Sequence, residues 1–217
     1  MTIGKLMTML NQYLSPLPFI AIPRGIRPEE SIPVAEILFE LGFRIIEVPL
    51  NSPKPLDSIA AIAKRFGGES LIGAGTVLSV DDVTRVHNAG GQLIVMPPHR
   101  WRGNWCREAA EHDLHTRHRN ADGRVRGTGC GRRWTQTFSG GIVGAPPLVK
   151  ALRAVFSDDT TMIPVGGIAP DALAGFWKAG ATAFGLGSAL YRSGMTLADV
   201  RNNATTFVRS MGSLPQR

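Results

Sequence analysis

Cysteine is almost absent from this 217-residue chain, which has two, Cys106 and Cys130. Two cysteines cannot build the multi-bridge framework that staples small secreted domains. Lysine is scarce as well, at Lys5, Lys54, Lys64, Lys150 and Lys178. Long apolar runs are missing: none reaches the ~18 residues of a membrane span. The first 14 residues carry one lysine and no small-residue cleavage pattern after a long apolar core. No signal peptide is therefore expected, and a cytoplasmic location is. What remains is a soluble globular composition, 43% hydrophobic with a mean hydropathy of +0.01. The length suits a single domain over residues 1–217.

Charge is the odd figure. The net charge is +7 and the sequence pI about 10.1. At face value this suggests a polyanionic partner. The excess is concentrated, however. Residues 98–139 hold nine arginines, no lysine and four acids, and so contribute +5 of the +7. The same stretch holds both cysteines, three of the four tryptophans and four of the five histidines. It has no isoleucine, no methionine and one leucine, so it lacks the means to build a core. Two compositions share one chain, with sharp boundaries.

The flanks alternate short apolar runs with helical patterns. Strands are expected at 19–23, 45–50, 71–75 and 93–96, then at 162–165 and 183–186. Helices are expected at 29–41, 58–66 and 80–87, then at 146–156, 171–179 and about 197–211. Regular strand–helix alternation implies parallel strands joined by crossover helices. Four units before the anomalous segment and two after leave room for two more, which makes a (β/α)8 TIM barrel the expected α/β fold. A doubly wound sheet is the alternative architecture. In a barrel, chemistry sits where strands end and loops begin.

Several special residues fall at such ends. Arg24 closes the first strand and Thr76 the third. Gly166 and Gly167 follow the seventh strand. Gly187 and Ser188 follow the eighth. Glycine turns at these two places suit a phosphate, held by backbone N–H groups. Glu47 lies inside an otherwise apolar strand and must face a core or a cavity. Burying it costs several kcal/mol unless it is partnered. It is either half of a structural ion pair, with Arg24 or another arginine, or a general acid/base with a raised pKa.

The motifs Ile-Pro-Arg-Gly-Ile (22–26), Ile-Glu-Val-Pro-Leu-Asn-Ser-Pro (46–53), Gly-Ala-Gly-Thr-Val-Leu (73–78), Val-Gly-Gly-Ile (165–168) and Gly-Leu-Gly-Ser-Ala-Leu-Tyr (185–191) together resemble the class I KDPG/KHG aldolase family. The resemblance covers about residues 15–97 and 141–210. The Pro-Leu-Asn-Ser-Pro run resembles the galactonate branch, since the gluconate branch has Thr-Leu-Arg-Thr there. The resemblance implies a carbon–carbon lyase that splits a phosphorylated 2-keto-3-deoxy sugar acid into pyruvate and glyceraldehyde 3-phosphate. It implies a Schiff base on a lysine of the sixth strand, no metal or other cofactor, no nucleic-acid or membrane partner, and a homotrimer. Glu47 would be the catalytic acid/base. Arg24 and Thr76 would contact the keto-acid end, and Gly166, Gly187 and Ser188 the phosphate end.

One departure is severe. The family's lysine lies in a Leu-Lys-Leu-Phe-Pro pattern that falls inside residues 98–139, where this chain has no lysine. Lys5, Lys64, Lys150 and Lys178 belong to the N-terminal arm or to helices. Lys54 is in the loop after the second strand, at the catalytic end but off the rigid sheet. The genetic code offers an account. Reading each codon's last two bases with the first base of the next lets 114–123 encode Cys-Thr-Pro-Gly-Ile-Ala-Thr-Pro-Thr-Glu. The same reading lets 124–141 encode an alanine-rich helix and then Gly-Leu-Lys-Leu-Phe-Pro-Ala-Glu. Some steps are forced: Trp134 before Thr135 gives Gly, and Gln136 before Thr137 gives Lys or Arg. A frame change near 97–98, restored near 139–141, is inferred. Edges left unpaired at strands four and seven, and irregular structure over 98–139, are then expected.

The rival takes the segment literally. Cys106, His112, His115, His118 and Cys130 would form a zinc site, with the Arg/Trp mixture contacting nucleic acid. Their spacing matches no standard finger. A third reading is a non-catalytic barrel that binds sugar phosphates without forming an imine.

Overall fold

The computed structural model describes residues 10, 12–15, 17–95, 146–156, 158 and 160–215, together with the backbone of 115–117 and 137–139. Its strands are short because each apolar run is cut by a Gly or Pro turn. In chain order the elements are β1 (Phe19–Ala21), α1 (Pro28–Glu40), β2 (Ile45–Pro49), α2 (Pro55–Phe66), β3 (Leu71–Gly75), α3 (Val80–Asn88), β4 (Leu93–Val95), β5 (His115–Arg117), β6 (Thr137–Ser139), α4 (Pro146–Arg153), β7 (Ile163–Val165), a 3-10 turn (Pro170–Ala172), α5 (Leu173–Lys178), β8 (Phe184–Leu186) and α6 (Leu197–Gly212). The expected segments match these to within a few residues. The main shift is at α2, which begins at Pro55 because proline suits the first helical turn.

The strand order is β5-β4-β3-β2-β1-β8-β7-β6, and every pairing between these strands is parallel. The first and last strands are neighbours: Ile20 pairs with Gly185 and Ala21 with Leu186. This adjacency of β1 and β8 bends the sheet round in the manner of a barrel and sets aside the doubly wound order.

The expectation of bare edges at strands four and seven is corrected. β5 pairs with β4 (Leu93 with His115) and β6 with β7 (Thr137 with Ile163). A strand ladder is made by backbone N–H and C=O groups, so an edge recruits extended chain whatever its side chains. The rest of 98–139, including Cys106, His112, His118, Cys130 and Gln136, lies outside the described residues.

Side chains on a strand alternate between faces. Here the alternation makes two cores. Phe19, Ala21, Ile46, Val48, Ile72, Ala74, Ile94, Phe184 and Leu186 point outward into the layer between sheet and helices. Phe19 anchors that layer, with ring centroids 5.5 Å from Phe43 and 6.0 Å from both Phe184 and Phe207. Ile20, Ile45, Leu71, Leu93, Ile163 and Ala183 point inward, joined by Leu10 and Leu14 from the N-terminal segment. They form an apolar floor inside the curved sheet. Two residues further along each strand, the inward positions are Ile22, Glu47, Gly73, Val95, Val165 and Gly185. The site stands on that floor.

Candidate functional site

Glu47 points inward because Ile45 does and the strand period is two. It is 5% exposed, and among the described residues it is the one buried charged side chain. Room for it comes from glycine on the neighbouring strand. A Cβ built on Gly75 would meet Glu47 Oε1 at 2.5 Å, Cδ at 2.7 Å and Oε2 at 2.8 Å. At Gly73, level with Glu47, a Cβ would strike the Leu93 carbonyl. At Gly185 it would reach within 3.1 Å of Ile22 Cδ1 and would also strike a Val165 methyl. Any side chain at these three inward positions collides with its surroundings, so the carboxylate layer is kept open by glycine.

Arg24 stands just past β1, where Pro23 lacks an N–H to extend the ladder. Its guanidinium donates to Asn51 Oδ1 at 2.8 Å, and the next amide, Gly25 N–H, donates to Ser52 Oγ at 2.9 Å. Two successive bonds thus tie the loop after β1 to the loop after β2. Among the described residues Arg24 has Asn51 as its side-chain partner, and no ion pair joins it to Glu47.

Gly166 and Gly167 follow β7 with φ of 91° and 66°, a left-handed pair that side-chain-bearing residues rarely adopt. Gly187 and Ser188 follow β8, and a Cβ on Gly187 would meet nothing within 4 Å. Among the described residues, no backbone carbonyl accepts from the amides of Gly166, Gly167, Gly187 or Ser188.

These loops surround one cavity of about 380 Å³ at the C-terminal ends of β1, β2, β7 and β8. Arg24, Glu47, Gly166, Gly187 and Ser188 all line it, which brings together five of the six site residues named from the sequence. Thr76 lines an adjoining cavity of about 300 Å³ with Asn51, Asp82 and Arg85. Its φ of 58° is left-handed, and it is not a glycine.

The sequence reading missed Tyr191, Arg192 and Ser193, which complete the first cavity's wall. Tyr191 is 2% exposed, and its hydroxyl donates to Glu30 Oε2 at 3.1 Å. Burial, reinforced by that carboxylate, pushes its pKa well above the ordinary tyrosine range. The Glu30–Tyr191 bond spans 161 residues of chain and has no local sequence signal. Among the described residues there is no cluster of three or more His, Cys, Asp or Glu side chains able to hold a metal ion, and no helix long and apolar enough to cross a membrane. The five Cys and His residues considered for zinc fall outside the described side chains.

Comparison with known proteins follows the same lines. The sequence profile described as KDPG and KHG aldolase matches residues 10–204. The chain is 36% identical over 201 residues to the 2-dehydro-3-deoxy-6-phosphogalactonate aldolase of Escherichia coli, covering 92% of this chain and 97% of that one. It is 38% identical over 189 residues to a probable enzyme of the same name from Rhizobium meliloti, covering 86% and 88%. Among solved structures, one titled native KDPGal superposes with a TM-score of 0.83 at 34% identity, covering 90% of this chain and 95% of that one.

Proposed function

The chain belongs to the KDPG and KHG aldolase family, whose members are lyases, and from that premise we propose that its site is built to cleave 2-dehydro-3-deoxy-6-phosphogalactonate to pyruvate and glyceraldehyde 3-phosphate. The observation that carries this is one cavity in which a buried carboxyl group stands between an arginine and two glycine turns. It suits a ligand with a carboxylate at one end, a phosphate at the other and a proton to be moved between them.

In this reading the nucleophile is a lysine of β6. Its amine attacks the keto carbon, water leaves, and an iminium remains. Glu47 takes the proton from the hydroxyl beside the scissile bond. As that bond breaks, glyceraldehyde 3-phosphate departs and the electron pair flows into the iminium as an enamine. Glu47 returns the proton to the enamine carbon, and hydrolysis frees pyruvate. Arg24 holds the keto-acid carboxylate, with Thr76 beside it. Gly166, Gly187 and Ser188 hold the phosphate.

The lysine codon, in this account, straddles Gln136 and Thr137 and is lost to a shifted reading frame over about 98–139. The chain as it stands binds the substrate without forming an imine. Its frame-restored form is a complete (β/α)8 barrel over 1–217, closed between β5 and β6, cytoplasmic and trimeric. Support for the frame account is the ordered reappearance of the family's fifth- and sixth-strand motifs in the alternative frame.

Pyruvate release from the 6-phosphogalactonate and 6-phosphogluconate substrates tests the proposal. The frame-restored chain is expected to turn over the first in preference to the second, and the present chain neither. Turnover of neither substrate by the restored chain refutes it. A gene that reads as one uninterrupted frame around codons 95–142, with no compensating indels in close relatives, removes the frame account.

A further inference from the structure

We infer that Arg192 is a substrate-binding residue of this cavity, the cation that meets the phosphoryl group. The inference rests on the phosphorylated substrate proposed above.

Three observations carry it. First, Arg192 lines the same cavity as Glu47 and Arg24, beside Gly187 and Ser188. Second, its backbone is held on both sides. The amides of Leu190 and Tyr191 both donate to the Gly187 carbonyl, at 2.9 and 3.0 Å, so residues 187–191 form a tight turn. Buried Tyr191 bolts that turn to Glu30 on α1. On the far side Met195 N–H donates to the Arg192 carbonyl at 3.1 Å. Third, its guanidinium is uncommitted. Arg201 pairs with Glu40 at 2.7 Å, Arg85 with Asp82 at 3.1 Å, and Arg153 donates to the Thr160 and Gly180 carbonyls. Among the described residues no carboxylate or carbonyl engages the Arg192 side chain. It is exposed, and so meets an incoming anion without first breaking a bond.

Charge balance points the same way. The charged residues lining the cavity are Arg24, Arg192 and Glu47. With Glu47 ionised the cavity is one positive charge in excess, which suits a ligand with more than one negative charge. Arg24 stands on the β1–β2 side, fastened to Asn51. Arg192 stands on the β8 side with the glycine turns. An arginine fork binds phosphate oxygens in pairs and adds a full positive charge, which the neutral amides of the turns do not supply.

Titration calorimetry of the chain as it stands, with 3-phosphoglycerate and with glycerate, tests this. The two probes share a carboxylate and differ by the phosphate. Expected is a wild type that prefers 3-phosphoglycerate. Arg192→Gln should lose roughly tenfold or more of that affinity, leave glycerate unchanged and show a shallower salt dependence. Arg192→Lys should recover part of the loss. An Arg192→Gln protein that keeps wild-type affinity for 3-phosphoglycerate overturns the assignment while the functional reading stands. Equal loss on both probes also overturns it, since the residue would then act through the fold. A wild type with no preference for the phosphorylated probe overturns the substrate reading and this assignment together.

Discussion

The open space around the buried carboxylate can be closed by one methyl group. Gly75→Ala places a Cβ 2.5 Å from Glu47 Oε1 and 2.8 Å from Oε2. Ordinary carbon–oxygen contact needs the carboxylate to retreat by roughly 0.5–1 Å. Glu47 is 5% exposed and stands on the apolar floor of Ile45, Leu71 and Ile163, so it cannot retreat that way and must swing into the cavity it lines. Overpacking of this kind costs about 1–3 kcal/mol, a sizeable share of the ~5–15 kcal/mol that holds a domain folded. At this chain length that lowers Tm by roughly 2–12 °C. With Glu47 as the proposed acid/base, the same displacement takes it out of reach of its proton, so the frame-restored chain should lose about a hundredfold in kcat. Gly68→Ala is the control, because a Cβ there meets nothing within 4 Å. Thermal melts and urea titrations of the two variants, with pyruvate release for the restored forms, measure both effects. A Gly75→Ala protein with the Tm and turnover of Gly68→Ala refutes the claim that glycine keeps the carboxylate layer open.

Two further outcomes are expected. Tyr191 has its pKa raised in the folded state, so its contribution to stability is full below the ordinary tyrosine pKa near 10 and is lost as pH rises from there towards the folded value. Tyr191→Phe should cost about 1 kcal/mol at neutral pH and make the alkaline decline above pH ~10 shallower; an unchanged alkaline limb in urea melts refutes this. Asn51→Ala removes the acceptor that holds Arg24, an exposed bond, so stability should change by no more than ~0.5 kcal/mol. Pyruvate affinity should fall roughly two- to tenfold by calorimetry, and an unchanged affinity shows that Arg24 orients itself.

Much of this architecture is legible in the sequence. The alternation of apolar runs and helical stripes reports backbone periodicity, which is local. Glu47 stood out because a charge in a run of Ile, Val and Pro has nowhere cheap to go. The glycines after the seventh and eighth strands announced turns that only they form easily. What stayed hidden depends on distant partners. Nothing near Arg24 names Asn51 as its acceptor, and nothing near Tyr191 names Glu30. Gly73, Gly75 and Gly185 belong to recognisable motifs, but only the neighbouring strands show what they make room for. Nothing in the sequence around Arg192 sets it apart from the chain's other arginines. The pairing of β5 with β4 and of β6 with β7 is hidden for a different reason. Composition speaks for side chains, and a ladder asks only for backbone.

The central claim is that the site is an aldolase site whose nucleophilic lysine is missing from this chain and present in its other frame. Borohydride reduction in the presence of pyruvate, followed by peptide mass mapping, tests it most directly. The expected result is no adduct on the chain as it stands. On the frame-restored chain a single reduced pyruvyl lysine is expected, in the peptide that replaces Trp134–Ser139. A stable adduct on the present chain, at Lys54 or any other lysine, or no adduct on the restored chain, contradicts the claim.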